Sequence, residues 1–337
     1  MHMPDLPPEC PKLVETILAR QSVTAKDVQG LRRKVFGDGV VSPDEAELLF
    51  TVHHGAKRQG PKWREFFVEA LTDYLVHQAD PRGYVSPENA VWLLERVMAD
   101  GHVETASELE AIIKIIETAR TVPQQLAMFA LMQVRKAVLH GHGSARELAG
   151  KKRKGAAGKV TAADVEMLRR VLHAGAGDGG MGVSREEAAV LFDINDDTKD
   201  AENAPEWSEL FVKAIGNAML FASGHSVPTR EDALRREAFL ESREGVGGFL
   251  TRMVQAVAQG QIGARDECVW QAQLDAHAQA QDAAEALTGE EAHWLIDRIG
   301  RDGEFSDNER AAIGFIVSQS DRIDPALESL IEKLRAA

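Results

Sequence analysis

Two segments of this chain recur. Val23-Thr-Ala-Lys-Asp-Val-Gln-Gly-Leu-Arg-Arg33 returns as Val160-Thr-Ala-Ala-Asp-Val-Glu-Met-Leu-Arg-Arg170, and Trp92-Leu-Leu-Glu-Arg-Val-Met-Ala-Asp-Gly101 returns as Trp294-Leu-Ile-Asp-Arg-Ile-Gly-Arg-Asp-Gly303. A unit used twice constrains the architecture before any single residue is interpreted. The apolar positions flanking these segments fall three and four apart, as in Leu48, Leu49, Val52 and in Phe66, Phe67, Ala70, Leu71, Tyr74. That is the spacing of one buried helix face. Sustained period-two alternation is missing, so no sheet is expected. The expected fold is all-α: two related multi-helix bundles from an internal duplication, with a helical insertion in the second.

The layout follows from where the repeat begins and stops. Residues 1–22 read as a proline-rich lead-in with one short helix. Residues 23–140 form the first repeat, and residues 141–159 read as a basic, glycine-rich linker. Residues 160–337 form the second repeat. Trp63 and Trp207, Phe67 and Phe211, and Ala70 and Ala214 correspond. The correspondence lapses over residues 222–286, an insertion that is itself helical in pattern, with Phe249, Leu250, Met253, Val254 and Val257 as one apolar stripe.

Helix starts are legible. Thr24 precedes Asp27 by three residues. The same offset joins Ser42 to Glu45, Thr105 to Glu108, Thr161 to Asp164, Ser184 to Glu187, Thr288 to Glu291 and Ser306 to Glu309. In such a pair the hydroxyl accepts from an otherwise unpaired backbone N–H, while the carboxylate reaches back to the cap residue's own N–H. Pro123 and Pro325 stand near the starts of further helices, where a missing N–H costs nothing.

Four of these starts follow an Asp-Gly turn, and these turns are the candidate functional sites. Asp38-Gly39-Val-Val-Ser42-Pro-Asp-Glu45 and Asp302-Gly303-Glu-Phe-Ser306-Asp-Asn-Glu309 match the second half of an EF-hand loop. The turn from Asp100 to Glu108 is one residue longer, and that from Asp178 to Glu187 longer still. A fifth acidic segment, Asp193-Ile-Asn195-Asp-Asp197, carries the alternating oxygen ligands with which an EF-hand loop opens. It then places Thr198 where the turn glycine belongs and reads as an acidic loop before the Trp207 helix. Carboxylate and carbonyl oxygens suit hard cations, so Ca²⁺ or Mg²⁺ is the implied cofactor. Ligand number opposes it. Calcium takes six to eight oxygens, yet the two earlier ligand positions are Lys34 and Phe36 in the first turn and Arg298 and Gly300 in the last. Capping accounts for the same letters without an ion.

The Asp-Gly-x-Val-Ser-x-x-Glu turns, set between amphipathic helices of an all-α chain, resemble the TerB-like family associated with tellurite resistance. The resemblance covers the four turns and their flanking helices. It implies a compact helical bundle with acidic residues grouped near the Asp-Gly turn and a metal- or stress-linked role. Asp38, Glu45, Asp302 and Glu309 correspond best.

Other chemistries find little support. Gly175-Ala-Gly177-Asp-Gly-Gly180 has the dinucleotide glycine spacing but follows a helical segment where a strand is required. His53 and His54 are adjacent and are expected to diverge on a helix, and His140 and His142 fall in the linker, so no zinc set is expected. No nucleophile elbow occurs. Cys10 and Cys268 do not make a disulfide framework. A net charge of −14 argues against nonspecific attraction to nucleic acid or anionic membranes. The Lys151–Lys154 run is the one exception, and it reads as a solvated tether. No apolar run approaches the ~18 residues of a membrane span, and a cytoplasmic location is expected. The primary expectation is a binding or scaffold protein, not an enzyme, with a protein partner and Ca²⁺ or Mg²⁺ at the acidic turns. A purely structural interaction module without metal is the second reading, and a metal-dependent hydrolase the third.

Overall fold

A computed structural model describes residues 10–35, 37, 39–98, 105–150, 157–175, 182–220, 289–301, 304–319, 325, 327, 328 and 331. Every regular element among them is a helix, and the only extended pairings are isolated parallel bridges, Ser22 with Arg58 and Tyr84 with Thr121. Among the described residues no helix is long and apolar enough to cross a membrane. The insertion at 222–286, the Lys151–Lys154 run, the Thr288–Glu291 cap and the turn aspartates Asp38, Asp100, Asp178 and Asp302 lie outside the described residues or their described side chains.

Two compact units are present, Met1–Met181 with Ala189–Leu210, and Gly182–Ala188 with Phe211–Ala337. The first unit contains α1 (Cys10–Arg20), α2 (Ala25–Val35), α3 (Pro43–Gly55), α4 (Pro61–Thr72), a π-helical continuation (Asp73–Gln78), α5 (Pro87–Val97), α6 (Ala106–Thr118), α7 (Gln124–His140), α8 (Ser144–Leu148) and α9 (Ala162–Gly175). Helices α10 (Arg185–Asp197) and α11 (Pro205–Leu220) contribute residues to both units, and α12 (Gly289–Arg298) and α13 (Asp307–Gln319) belong to the second.

Helix α6 is the axis of the first unit. Nine of its 13 residues are buried, including Leu109, Ile112, Ile113, Ile115 and Ile116. A helix with so wide an apolar face must be largely enclosed, and α6 packs against α4, α7, α8, α9 and the π segment, with Lys114 and Glu117 left exposed. Each large aliphatic side chain withdrawn from water contributes roughly 1.5–3 kcal/mol. A second focus of the core is aromatic. Phe50 meets Phe67 edge-on at 5.3 Å, Trp92 closes on Phe50 at 5.8 Å, and His53 stacks on Phe67 at 4.4 Å.

The far end of the first repeat differs from the sequence expectation, while the near end holds the short helix expected there. The lead-in supplies α1, whose Val14 and Ile17 are buried and which packs on α2 and α3. The segment read as a linker is folded through Leu148. Gly141 takes φ 73° to end α7 in the left-handed conformation. Helix α8 then packs on α6, α7 and α9. Its Arg146 is 1% exposed and grips Asp164 through two hydrogen bonds of 3.1 and 2.8 Å. Composition suggested a tether because an arginine in a Gly/Lys-rich stretch looks solvated. A single buried carboxylate from α9 reverses that.

The repeated sequences bury matching positions. Val28 and Val165, Leu31 and Leu168, Leu49 and Leu191, Phe50 and Phe192, Trp63 and Trp207, Phe67 and Phe211, and Ile112 and Ile313 are all inside. Arg96 lies over Trp92 at 6.0 Å, as Arg298 lies over Trp294 at 5.8 Å.

Candidate functional site

Six of the expected capping pairs form reciprocal hydrogen bonds. Thr24 N donates to Asp27 Oδ2 at 2.7 Å, Ser42 N to Glu45 Oε2 at 2.8 Å and Thr105 N to Glu108 Oε2 at 3.1 Å. Thr161 N donates to Asp164 Oδ2 at 2.9 Å, Ser184 N to Glu187 Oε2 at 2.9 Å and Ser306 N to Glu309 Oε2 at 2.7 Å. The return bonds run from the acid's own N–H to the cap hydroxyl at 3.2 to 3.4 Å. Four of these acids, Glu45, Glu108, Glu187 and Glu309, are the glutamates that would end a half EF-hand loop.

How much of each carboxylate the cap consumes decides what remains for an ion. Glu309 spends both oxygens on backbone, since Oε1 also accepts from Gly300 N at 3.0 Å. Neither oxygen is left for an ion. Glu108 is also fully engaged, through the histidines described below. Glu45 and Glu187 each commit Oε2 to Ser42 or Ser184 and leave Oε1 without a partner among the described residues. Glu187 is buried, and burial outweighs the hydrogen bonds from Ser184, so its carboxyl is held above the ordinary value. A carboxyl reluctant to ionise is a poorer cation ligand.

The loop expected at residues 193–197 is the last turn of α10 instead. Alternation puts loop ligands together, but on a helix it separates them. Asp193 and Asp197, four apart, share a face and close on Arg135 at 3.1 and 2.8 Å, while Asn195 is buried at 2% exposure. A cation already occupies the carboxylates, and it is a guanidinium. Among the described residues, no group of three or more His, Cys, Asp or Glu side chains is arranged to hold a metal ion.

Two arrangements escaped sequence reasoning. The first joins His53 and His54, which were expected to diverge. His54 Nε2 lies 3.3 Å and His53 Nε2 3.5 Å from the same oxygen, Glu108 Oε1. His53 Nε2 also lies 2.9 Å from Thr105 Oγ1, and Trp63 Nε1 donates to His53 Nδ1 at 3.0 Å. An indole N–H can only donate, so Nδ1 is bare and the neutral ring carries its proton on Nε2. Burial pushes the Glu108 carboxyl up, but hydrogen bonds from His53, His54 and the Thr105 amide outweigh it and hold it at about 2. Adjacent histidines meet here because Glu108 sits at the N-terminal end of α6, between the two rings. Their spacing alone gives no sign of this.

The second is a groove of about 890 Å³ in the first unit, between α4, the π segment, α6, α8 and α9. Its floor is apolar, formed by Val68, Leu148 and Met167, and its walls carry Arg64, Lys114, Arg170 and several acids. The π-helical turn Asp73–Gln78 forms one edge. Such turns are rare and occur often at functional sites. This one is held by Gln78, which donates to Asp73 and accepts from Val41 N at 2.6 Å. No residue of the groove stood out in the sequence, because its members are scattered from 64 to 170.

The class of protein these observations define is an all-helical domain protein whose acidic turns are capped helix starts. Compared with known proteins, the chain matches no protein-family model, no curated protein and no solved structure.

Proposed function

We propose that this chain is a non-enzymatic, cytoplasmic helical binding module, built by internal duplication, whose acidic turns serve as helix starts and not as ion sites. One observation carries the reading: the turn glutamates that would supply the last ligand of an EF-hand are committed to capping boxes. The recurring burial pattern supports the duplication, and the TerB-like resemblance of the turns points to the same kind of bundle and to a metal- or stress-linked role; the module's partner is a protein. In this reading the acid stabilises the start of each helix by about 0.5–2 kcal/mol.

A second reading rests on the uncommitted Oε1 of Glu45 and Glu187. With Asp38 and Asp178 these could contribute to a Ca²⁺ or Mg²⁺ site, completed by water. Calorimetric titration with each ion, paired with elemental analysis of the purified chain, separates the two. The structural reading expects no binding heat, no stoichiometric metal and an unchanged melting temperature. Heat that disappears in Asp38→Asn or Asp178→Asn overturns it.

A further inference from the structure

We propose that the groove between α4, the π segment and α9 binds a small amphipathic anion, with Arg64 as the residue that selects the charge. The proposal holds whether or not the turns bind ions, because none of its residues lies in a turn.

The groove's size is that of small-molecule sites, which run from about 300 to 1,000 Å³ and combine an apolar lining with a few placed polar groups. Val68, Leu148 and Met167 supply the lining. The sign of the ligand follows from the carboxylates, lysine and arginines around it. Four acids face the groove, and each is already matched. Glu65 holds Lys62 at 2.7 Å, and Glu69 holds Arg32 at 2.8 Å. Glu110 holds Arg170 at 3.0 Å, and Asp73 accepts from the Gln78 amide. Arg170 is further occupied by Glu117, which also lies 3.8 Å from Lys114.

Arg64 is the exception. Among the described residues its side chain has no hydrogen-bond or ion-pair partner, and its Nε is shut off from solvent without an acceptor. A buried donor left unmade is costly, and a guanidinium presents a fork that matches a carboxylate or phosphate with two parallel bonds. Lys114 of α6 also lines the groove and adds a second positive charge. A cationic ligand would meet acids already neutralised and one arginine opposing it. A neutral ligand would leave Arg64 as it is. A molecule with an apolar body on Val68, Leu148 and Met167 and an anionic head on Arg64 satisfies both surfaces.

The test uses octanoate, with 1-octanol as its uncharged counterpart, titrated into the full chain and followed by amide chemical shifts. Octanoate is expected to shift residues around Val68, Asp73 and Met167 in a saturable way, and octanol to bind at least tenfold more weakly. Arg64→Gln should lose about tenfold for octanoate, equivalent to about 1.4 kcal/mol, and nothing for octanol. Arg64→Lys should recover part of the loss. Leu148→Trp, which fills the groove and leaves Arg64 in place, should block both probes and guards against a misfolded arginine variant. Equal affinity for the two probes, unchanged octanoate binding in Arg64→Gln or Leu148→Trp, or no shift up to roughly 10 mM, a very weak dissociation constant, overturns the proposal.

Discussion

Glu108→Gln isolates the buried His–Glu cluster, because glutamine still caps a helix and only the charge is lost. The Glu108 side chain is 1% exposed, so solvent does little to screen it. Its carboxyl is held at about 2, against an ordinary 4.5. At about 1.4 kcal/mol per pH unit that displacement sets a ceiling of roughly 3–4 kcal/mol. The two histidines and the Thr105 amide each contribute a hydrogen bond to the carboxylate, so about 2–3 kcal/mol is expected at neutral pH, in the range of hydrogen bonds to charged groups. A carboxylate whose value falls on folding stabilises the protein fully above its unfolded value, and that contribution fades as acid approaches the folded value. The gap between wild type and variant should therefore be constant above about pH 5, narrow below 4.5 and fall to roughly half at pH 3. Urea unfolding of both proteins, followed by circular dichroism at pH 7 and pH 3, measures it. A gap under about 1 kcal/mol at pH 7, or one that does not narrow in acid, refutes the account of Glu108 as a buried anion held by two histidines.

Glu187→Gln should behave oppositely. Its carboxyl is raised by burial, so the folded protein gains from protonation, and that gain is lost as pH rises from the ordinary value through the raised one. Glutamine keeps the cap and removes this dependence, so the variant should be at least as stable as wild type at pH 7 in the same urea assay. Arg146→Met should lose about 3–5 kcal/mol, the cost of stranding the buried Asp164 charge, and the double variant Arg146→Met with Asp164→Leu should recover much of it. Arg135→Ala should cost less than about 1 kcal/mol in thermal unfolding, because its pairs with Asp193 and Asp197 are partly solvated.

The helices and their starts were legible because both are local properties. Thr161 and Asp164 lie one turn apart, and a three-residue offset is all that a capping box needs. Apolar spacing likewise marked Leu49, Val52, Phe67 and Leu71 as a buried face, and all four are inside. What failed was everything set by distant partners. Asp193-x-Asn195-x-Asp197 has the letters of a loop, yet α10 continues through it and Arg135, some 60 residues earlier in the chain, occupies its carboxylates. Residues 141–148 have the letters of a linker, yet Asp164 draws Arg146 inside. The groove gave no signal, since Arg64 is distinguished only by lacking the partner that its neighbours have.

The six capping acids show where this chain varies a fixed motif. Each performs the same local task, accepting from its cap residue's N–H, but the group set against its charge differs. Asp27 faces Arg20 from the end of α1, and Asp164 faces Arg146 from α8. Both arginines come from the helix just before the cap. Glu108 faces His53 and His54 from α3. Glu187 has no cation within ion-pair distance among the described residues, and burial raises it. Helix initiation fixes the acid at each site, and the opposing group fixes whether that acid stabilises the fold across the pH range or only in part of it. Two acids with one sequence signature, Thr105 to Glu108 and Ser184 to Glu187, are therefore expected to titrate on opposite sides of the ordinary glutamate value. Exchanging their surroundings would exchange their pH response and leave both helix starts in place.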